Sequence, residues 1–201
     1  MKIGIFVGSF NPVHKGHIKI INHLIQSKYL DKVIIIPTGN YWNKQNIINI
    51  NDRINMLKYY KTNDIIIDNK LNDLTYTYEI MNELKQNYED LNLIIGADNL
   101  IDFDKWKNFK ELLRYNLIII NREDVDVSYY LEKHNIKKYT IVNDLPKLDV
   151  SSTLVRNLIK EDKYEELNKY LDEDVIEYIK TKKLYKWVWS YEKNSWIIDK
   201  K

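Results

Sequence analysis

The chain has 201 residues, 44% of them hydrophobic and 30% charged, with a formal net charge of +2. This length and balance predict one domain with a sizeable core, and they argue against a strongly basic nucleic-acid binder while allowing a local positive site for a small anion. The absence of cysteine excludes disulfide scaffolds, thiol nucleophiles and zinc–thiolate sites.

Short apolar runs alternate with helical patterns over most of the chain. Strands are predicted at Ile3–Val7, Val33–Ile36, Ile65–Ile67, Leu93–Ile95, Leu117–Ile120 and Thr140–Val142. These runs are apolar throughout, which is typical of strands that are buried on both faces. Helices are predicted between them at Gly16–Ser27, Asp52–Lys61, Thr77–Asn87, Lys107–Tyr115 and Ser128–His134. The alternation predicts a parallel sheet with helices on both sides.

After Pro146 the pattern becomes wholly helical. Helices are predicted there at Thr153–Lys160, Tyr164–Leu171 and Val175–Lys182. The predicted fold class is therefore α/β, a Rossmann-like doubly wound parallel sheet with a helical C-terminal portion from about residue 147. The last sixteen residues, KWVWSYEKNSWIIDKK, match neither a strand nor a helix pattern.

The first candidate site is the stretch GSFNPVHKGH, which follows the first predicted strand. Ligands of open parallel sheets bind beyond the carboxyl ends of the strands. Gly8 lets the backbone approach a ligand closely, and Gly16 lies near the start of a helix whose N–H groups attract anions. His14 and His17, three residues apart, suit phosphate oxygens at that position. A zinc half-site and two ordinary surface histidines are the alternatives, and zinc would need a third ligand that the spacing does not supply.

A carboxylate follows the fourth predicted strand in the stretch GADNL. Asp98 stands two residues after Gly96, where it would accept hydrogen bonds from ribose hydroxyls, as acidic residues do in other dinucleotide-binding folds. The alternative is a helix N-cap, a position that Asp also favours.

Hydroxyls and a guanidinium converge in the stretch DVSSTLVRNLI. Ser151 or Ser152 is predicted to cap a helix that starts at Thr153, and Arg156 follows one turn later. This arrangement suits a second phosphate site, and the alternative is an ordinary capped helix that carries a surface arginine.

Together these segments resemble the nucleotidyltransferases that share the H-x-G-H signature. GSFNPVHKGH resembles their pattern G-[ST]-F-[DN]-P-x-H-x-G-H, and VSSTLVR resembles their second signature, I-S-S-T-x-[IV]-R. IIGADNLIDFDKWKNFKELL is similar to the segment I-I-G-x-D-x-L-x-x-F-x-x-W of the bacterial nicotinate-nucleotide adenylyltransferases, TYTYEIMNEL to their S-Y-T-x-x-T-L, and VIEYIKTKKLY to their C-terminal helix. The resemblance runs in order from Met1 to about Tyr185. It implies a nucleotidyltransferase domain over residues 1–185 and leaves residues 186–201 as an aromatic and basic tail of unassigned role.

The resemblance implies transfer of AMP from ATP to nicotinate mononucleotide, which yields the deamido precursor of NAD and pyrophosphate. Mg²⁺ would accompany the phosphates of ATP, with no metal site on the protein itself. The implied catalytic residues are His14, His17, Lys44 and Arg156. The implied ATP-binding residues are Gly8, Ser9, Phe10, Gly16, Gly96, Asp98, Ser151 and Ser152. The implied acceptor-binding residues are Asn40, Thr75, Tyr76, Thr77, Trp106 and Arg122.

The acceptor side departs from the family pattern in two places. PTGNYWNK stands where the family has P-x-x-x-P-x-H-[KR], so Lys44 keeps the cation while Tyr41 and Asn43 replace the second proline and the histidine. Arg122 is followed by Glu and Asp where the family has Pro and Gly. A nicotinamide-nucleotide or dual-specificity enzyme is therefore the alternative. A phosphopantetheine adenylyltransferase is disfavoured by Trp106, which suits stacking on a pyridine ring and could otherwise be a core residue.

Two interpretations from other functional classes remain. A non-catalytic nucleotide sensor would keep the binding loops and lose a catalytic contact, whereas all four implied catalytic residues are present. An RNA- or partner-binding module would depend on Trp187, Trp189 and Trp196 in the tail, and a tail that folds onto its own body or onto a second subunit accounts for them more readily. We therefore expect no nucleic-acid partner, and a homo-oligomer is compatible with the sequence.

The expected location is the cytoplasm, with no membrane partner. No stretch approaches a membrane-spanning length, and Gly8 ends the N-terminal apolar run too early for a signal peptide.

Overall fold

A computed structural model of the chain describes residues 1–39, 47–121, 125–145, 149–190 and 195–198. Its centre is a six-stranded sheet in the order β3-β2-β1-β4-β5-β6, in which every neighbouring pair is parallel. The strands are β1 (Lys2–Gly8), β2 (Lys32–Pro37), β3 (Ile65–Ile67), β4 (Asp90–Gly96), β5 (Asn116–Ile120) and β6 (Tyr139–Val142). This is the strand order of doubly wound nucleotide-binding sheets, and it confirms the predicted fold class.

Helices cover both faces of the sheet. They are α1 (Lys15–Gln26), α2 (Ile50–Lys58), α3 (Thr77–Lys85), α4 (Phe109–Leu112), α5 (Val127–Lys133), α6 (Ser152–Lys160) and α7 (Glu173–Thr181). In β2, Val33 and Ile35 pack with α1, α2, α6 and α7, while Ile34 and Ile36 pack with α3, α4 and α5. Successive side chains of a strand point to opposite faces, so a strand covered on both sides must be apolar throughout.

Several element bounds differ from the sequence prediction by a few residues, and three further differences concern α4, the stretch Tyr164–Lys169 and the tail. α4 begins later than predicted because Asn108 lies in the left-handed region at φ 52°, which a helix cannot pass through, and it ends earlier, at Leu112. Residues Tyr164–Lys169 form a 3₁₀ helix instead of an α-helix. In the tail, β7 (Trp187–Ser190) and β8 (Ser195–Ile198) pair as antiparallel strands. No helix in the described part of the chain is long and apolar enough to cross a membrane.

The register of the sheet brings the carboxyl ends of its central strands to one edge. Gly8 of β1 is level with Pro37 of β2, and Gly96 of β4 is level with Ile120 of β5. The strand order reverses between β1 and β4, so the loops that leave these two strands diverge and open a crevice between them.

Candidate active site

A cleft of about 1020 Å³ lies at this edge of the sheet. It is lined by the loop after β1, the end of β4, the start of α3, the segment around Trp106 and the start of α6. The predicted site residues that line it are Gly8, Ser9, Phe10, His17, Thr75, Tyr76, Thr77, Gly96, Asp98, Trp106, Ser151 and Ser152. His14, Gly16 and Arg156 are absent from the lining. Asn40, Lys44 and Arg122 lie outside the described residues.

The loop after β1 is shaped by Phe10. Its backbone lies in the left-handed region at φ 44°, which reverses the chain just after the strand. The buried ring of Phe10 meets Phe6 edge-on, with ring centres 5.4 Å apart, and His17 at 5.0 Å. This packing holds the loop and the first turn of α1 as one unit.

His14 and His17 form a stacked pair at the start of α1. Their ring centres are 3.6 Å apart, and the planes are inclined by 24°. The backbone N–H of His14 donates to Nδ1 of His17 at 3.2 Å. An accepting Nδ1 carries no hydrogen, so the neutral ring holds its hydrogen on Nε2. His17 therefore presents a fixed N–H donor, in a ring that lines the cleft.

His14 stands behind His17. Its side chain is only 3% exposed, so the alternative of two ordinary surface histidines is wrong for this residue. Among the residues that the structure describes, no three His, Asp or Glu side chains are grouped so as to hold a metal ion. His14 packs against the ring of His17 at the start of α1, and its implied catalytic role stays a prediction.

Gly16 allows two parts of the chain to approach each other. A Cβ at this position would lie 2.7 Å from Cγ1 of Val150 and 2.9 Å from Nδ1 of His14. Both distances are too short for a real contact, so a larger residue would force the side chain of Val150 or His14 to shift. The glycine thus permits the close packing of the start of α1 against Val150, which precedes α6.

The hydroxyls at the start of α6 are used within the protein. Oγ of Ser151 accepts the N–H of Leu154 at 3.1 Å, which confirms the predicted N-cap. Oγ of Ser152 donates to the carbonyl of Pro12 at 2.9 Å. What α6 offers an anion is therefore the remaining N–H groups of its first turn and the positive end of its dipole.

Arg156 holds the loop after β1 from behind. Its Nη1 donates to the carbonyl of Asn11 at 2.9 Å, and its Nη2 donates to Oγ1 of Thr153 at 3.0 Å. Burial lowers the pKa of Arg156, and the nearby Tyr185 hydroxyl opposes that shift. In this arrangement the guanidinium orients the loop, and contact with a phosphate would require it to turn toward the cleft.

Gly96 and Asp98 mark the end of β4. Gly96 occupies the N-cap position of the 3₁₀ helix Ala97–Leu100, so the alternative that placed Asp98 at an N-cap is wrong. A Cβ on Gly96 would collide with the carboxylate of Asp98, which folds back over the glycine. Asp98 is exposed and lines the cleft, where its carboxylate is an acceptor for hydroxyl donors.

The opposite wall of the cleft comes from α3 and Trp106. Tyr76 is the N-cap residue of α3, and its N–H donates to Oε2 of Glu79 at 3.0 Å. The helix N–H groups that remain for an anion therefore begin at Thr77. The half-buried indole of Trp106 packs on Phe103, with ring centres 5.2 Å apart, and also lines the cleft. Trp106 is thus supported by the core and accessible to a ligand.

The sequence prediction missed two residues of this region. Lys107 lines the cleft beside Trp106 and makes no ion pair with any described residue, whereas Lys105, which also lines it, is paired with Asp102 at 2.7 Å. Arg53 of α2 is completely buried behind the loop after β1. Its signal in the sequence is a charge on the apolar face of the helix, next to Ile54 and Leu57.

Comparison with known proteins gives consistent similarities. The cytidylyltransferase-like family profile matches residues 5–158. A Clostridium tetani protein named "Probable nicotinate-nucleotide adenylyltransferase" is 34% identical, over 92% of this chain and 99% of its own length. A Clostridium acetobutylicum protein of the same name is 32% identical, over 92% and 98%. The solved structure of Plasmodium falciparum nicotinic acid mononucleotide adenylyltransferase complexed with NaAD matches with a TM-score of 0.79 at 21% identity, over 92% of this chain and 97% of that one. At this identity the structural match supports the fold.

Proposed function

The chain belongs to the nicotinate-nucleotide adenylyltransferases of the cytidylyltransferase-like family, and we infer from this membership that it transfers AMP from ATP to nicotinate mononucleotide. The products are the deamido precursor of NAD and pyrophosphate. One observation carries the assignment to this cleft. The loop after β1 and His17 line the same space as Trp106, at the point where the strand order of the sheet reverses. Donor and acceptor nucleotides can therefore meet there.

On the ATP side, we propose that His17 and the N-termini of α1 and α6 bind the triphosphate. Negative charge grows on the bridging oxygen as pyrophosphate leaves, and a donor fixed before the reaction stabilises that charge without reorganising. The contact between Nδ1 of His17 and the backbone of His14 supports this role, because it fixes both the tautomer and the ring. The roles of Gly8, Ser9, Phe10 and Gly16 follow from the same loop.

Gly96 and Asp98 are proposed to bind the adenosine. The exposed carboxylate of Asp98 is suited to accept hydrogen bonds from ribose hydroxyls. Gly96 leaves room for that carboxylate to fold back at the end of β4. The proposal places the ribose between the loop after β1 and the end of β4.

On the acceptor side, we propose that the pyridine ring stacks on Trp106 and that its carboxylate faces the start of α3. Thr75 and Thr77 line that end of the cleft. Lys107 supplies a positive charge there. Asn40 and Arg122, implied by the family resemblance, stay predictions for binding the acceptor, and Lys44 stays a prediction as a catalytic residue.

The proposed chemistry needs no general base. The second pKa of a phosphate monoester is about 6, so the attacking oxygen is already ionised at neutral pH. Binding aligns this oxygen with the α-phosphorus of ATP, and alignment supplies much of the rate. We propose that Mg²⁺ enters with ATP, bound by phosphate oxygens and water, which is the usual environment of this ion. The cytoplasmic location and a homo-oligomer stay predictions from the sequence.

The test is pyrophosphate release from purified protein with ATP and Mg²⁺, and kcat/KM measured for nicotinate and nicotinamide mononucleotides. We expect the nicotinate form to be preferred by at least about tenfold, since one charge-assisted hydrogen bond is worth roughly 1.5–3 kcal/mol. Equal values, or a preference for the amide, would overturn the acceptor and leave adenylyl transfer standing. If the protein binds ATP but releases no pyrophosphate with either acceptor, the alternative of a non-catalytic nucleotide sensor is supported instead.

A further inference from the structure

Arg53 joins three separate stretches of backbone. Its side chain is 0% exposed. Nη1 donates to the carbonyl of Ser9 at 2.7 Å and to the carbonyl of Thr38 at 2.8 Å, and Nε donates to the carbonyl of Ile48 at 3.3 Å. A single guanidinium therefore binds the loop after β1, the end of β2 and the chain just before α2.

These three stretches belong to different halves of the proposed reaction. Ser9 lies in the loop proposed to bind ATP. Thr38 and Ile48 stand on either side, in sequence, of residues 40–46, which carry the implied acceptor residue Asn40 and the implied catalytic residue Lys44. Arg53 thus connects the loop after β1 with the described chain on both sides of residues 40–46.

A second contact runs in parallel. The N–H of Ile48 donates to Oδ1 of Asn11 at 3.4 Å. The carbonyl of Asn11 in turn accepts from Nη1 of Arg156 at 2.9 Å. The chain just before α2 is therefore connected through Asn11 to Arg156 of α6. Arg53, which bonds the same stretch at Ile48, belongs to a network that extends to α6.

Burying the positive charge of Arg53 carries a desolvation cost. Burial lowers the pKa of Arg53 to about 10, so the group still carries its charge at neutral pH. An apolar residue on this face of α2 would avoid that cost, since its neighbours Ile54 and Leu57 pack in the core. The planar fork of the guanidinium holds several acceptors in fixed relative directions, which an ammonium cannot reproduce.

We propose that Arg53 is a positioning residue that sets the spacing between the loop after β1 and the described residues Thr38 and Ile48, which flank the stretch 40–46. The inference rests on the proposed function, because it concerns the alignment of that reaction. In-line attack tolerates little displacement, and a shift of about 1 Å costs on the order of a hundredfold in rate. Arg53 acts through backbone carbonyls and touches neither substrate.

The test is Arg53→Met and Arg53→Lys, with Met56→Ala as the matched control. Met56 is a fully buried side chain of the same helix and stabilises the core without contacting these carbonyls through hydrogen bonds. For each variant, kcat is measured with both substrates, and the Kd of ATP and of nicotinate mononucleotide is measured with each alone. Melting temperature gives the loss of stability.

We expect Arg53→Met to lower kcat about a hundredfold while each separate Kd changes less than about threefold. Arg53→Lys should have a kcat between those of Arg53→Met and the wild-type protein. If Arg53→Met does not fold, Arg53→Lys is compared with the wild-type protein by itself. Met56→Ala should lose stability and keep kcat. If Arg53→Met and Met56→Ala lose kcat equally for the same loss of melting temperature, the positioning role of Arg53 is overturned. Inactivity of the wild-type protein would instead contradict the proposed function.

Discussion

The rings of His14 and His17 stack 3.6 Å apart, and the backbone N–H of His14 fixes Nδ1 of His17. The two histidines therefore lie in different environments, although the sequence presents them as a matched pair. His14 is buried, whereas His17 lines the cleft.

Replacing His17 with Ala is expected to lower kcat by about two to three powers of ten. This is the range observed when one donor to a developing negative charge is removed. His23→Ala is the matched control on the same helix, since His23 pairs with Asp144 at 3.0 Å and does not line the cleft. Steady-state pyrophosphate release measures both. Near-normal turnover in the His17 variant would remove this residue from the mechanism.

Replacing Arg156 with Lys is expected to raise the KM of ATP about tenfold and to change the KM of the acceptor much less. The guanidinium bonds Asn11 and Thr153 with two different nitrogens, and an ammonium cannot hold both in the same geometry. One lost charge-assisted bond accounts for roughly a tenfold effect. Arg114→Lys, at an exposed position, is the control. Equal weakening of both substrates would indicate a damaged α6 instead.

Replacing Lys107 with Met is expected to lower kcat/KM for nicotinate mononucleotide about tenfold. The nicotinamide form should be unaffected, because the amide carries no charge for the ammonium to attract. Lys110→Met, on the exposed face of α4 and outside the cleft lining, is the control. The ratio of the two kcat/KM values is the readout. An equal effect on both mononucleotides would show that Lys107 does not read the carboxylate.

A chain that ends at Lys186 is expected to fold and to keep its activity. Tyr185 is completely buried, while Lys186 is exposed and can carry the new terminal carboxylate. A chain that ends at Lys183 also loses the side chains of Tyr185 and Leu184 from the core. We expect it to be less stable by about 3–5 kcal/mol, by analogy with deletion of a buried aromatic side chain. Thermal unfolding distinguishes the two, and an inactive but folded chain ending at Lys186 would assign the tail a part in the reaction.

The sheet was predictable because its strands are buried on both faces. Continuous apolar runs such as Leu117–Ile120, placed between amphipathic helices, are typical of the inner strands of a parallel sheet. The N-cap at Ser151 was predictable for a similar reason, since a capping hydroxyl acts within three residues of the chain. Local chemistry of this kind can be read from one stretch of sequence.

Arg53 was not predictable in this way. Its partner Ser9 is 44 residues away, and only the finished packing of α2 behind β1 brings the guanidinium to that carbonyl. Lys107 was missed because nothing in the sequence distinguishes it from a surface lysine, and only the structure shows that it lines the cleft. The late start of α4 was missed because the left-handed backbone of Asn108 interrupts a sequence pattern that is otherwise helical.

The bonds from Ser152 to Pro12 and from Arg156 to Asn11 span 140 and 145 residues, so they constrain when the protein can bind ATP during its synthesis. The loop after β1 is made first, and the start of α6 is made about 140 residues later and leaves the ribosome later still. The growing chain can pair β1 with β2 and β4 while the loop still lacks its support from α6. A chain truncated after residue 145 should therefore fail to retain an ATP analogue that the released 201-residue chain retains. Nucleotide binding is in this sense a late event, which waits for both the loop after β1 and the start of α6.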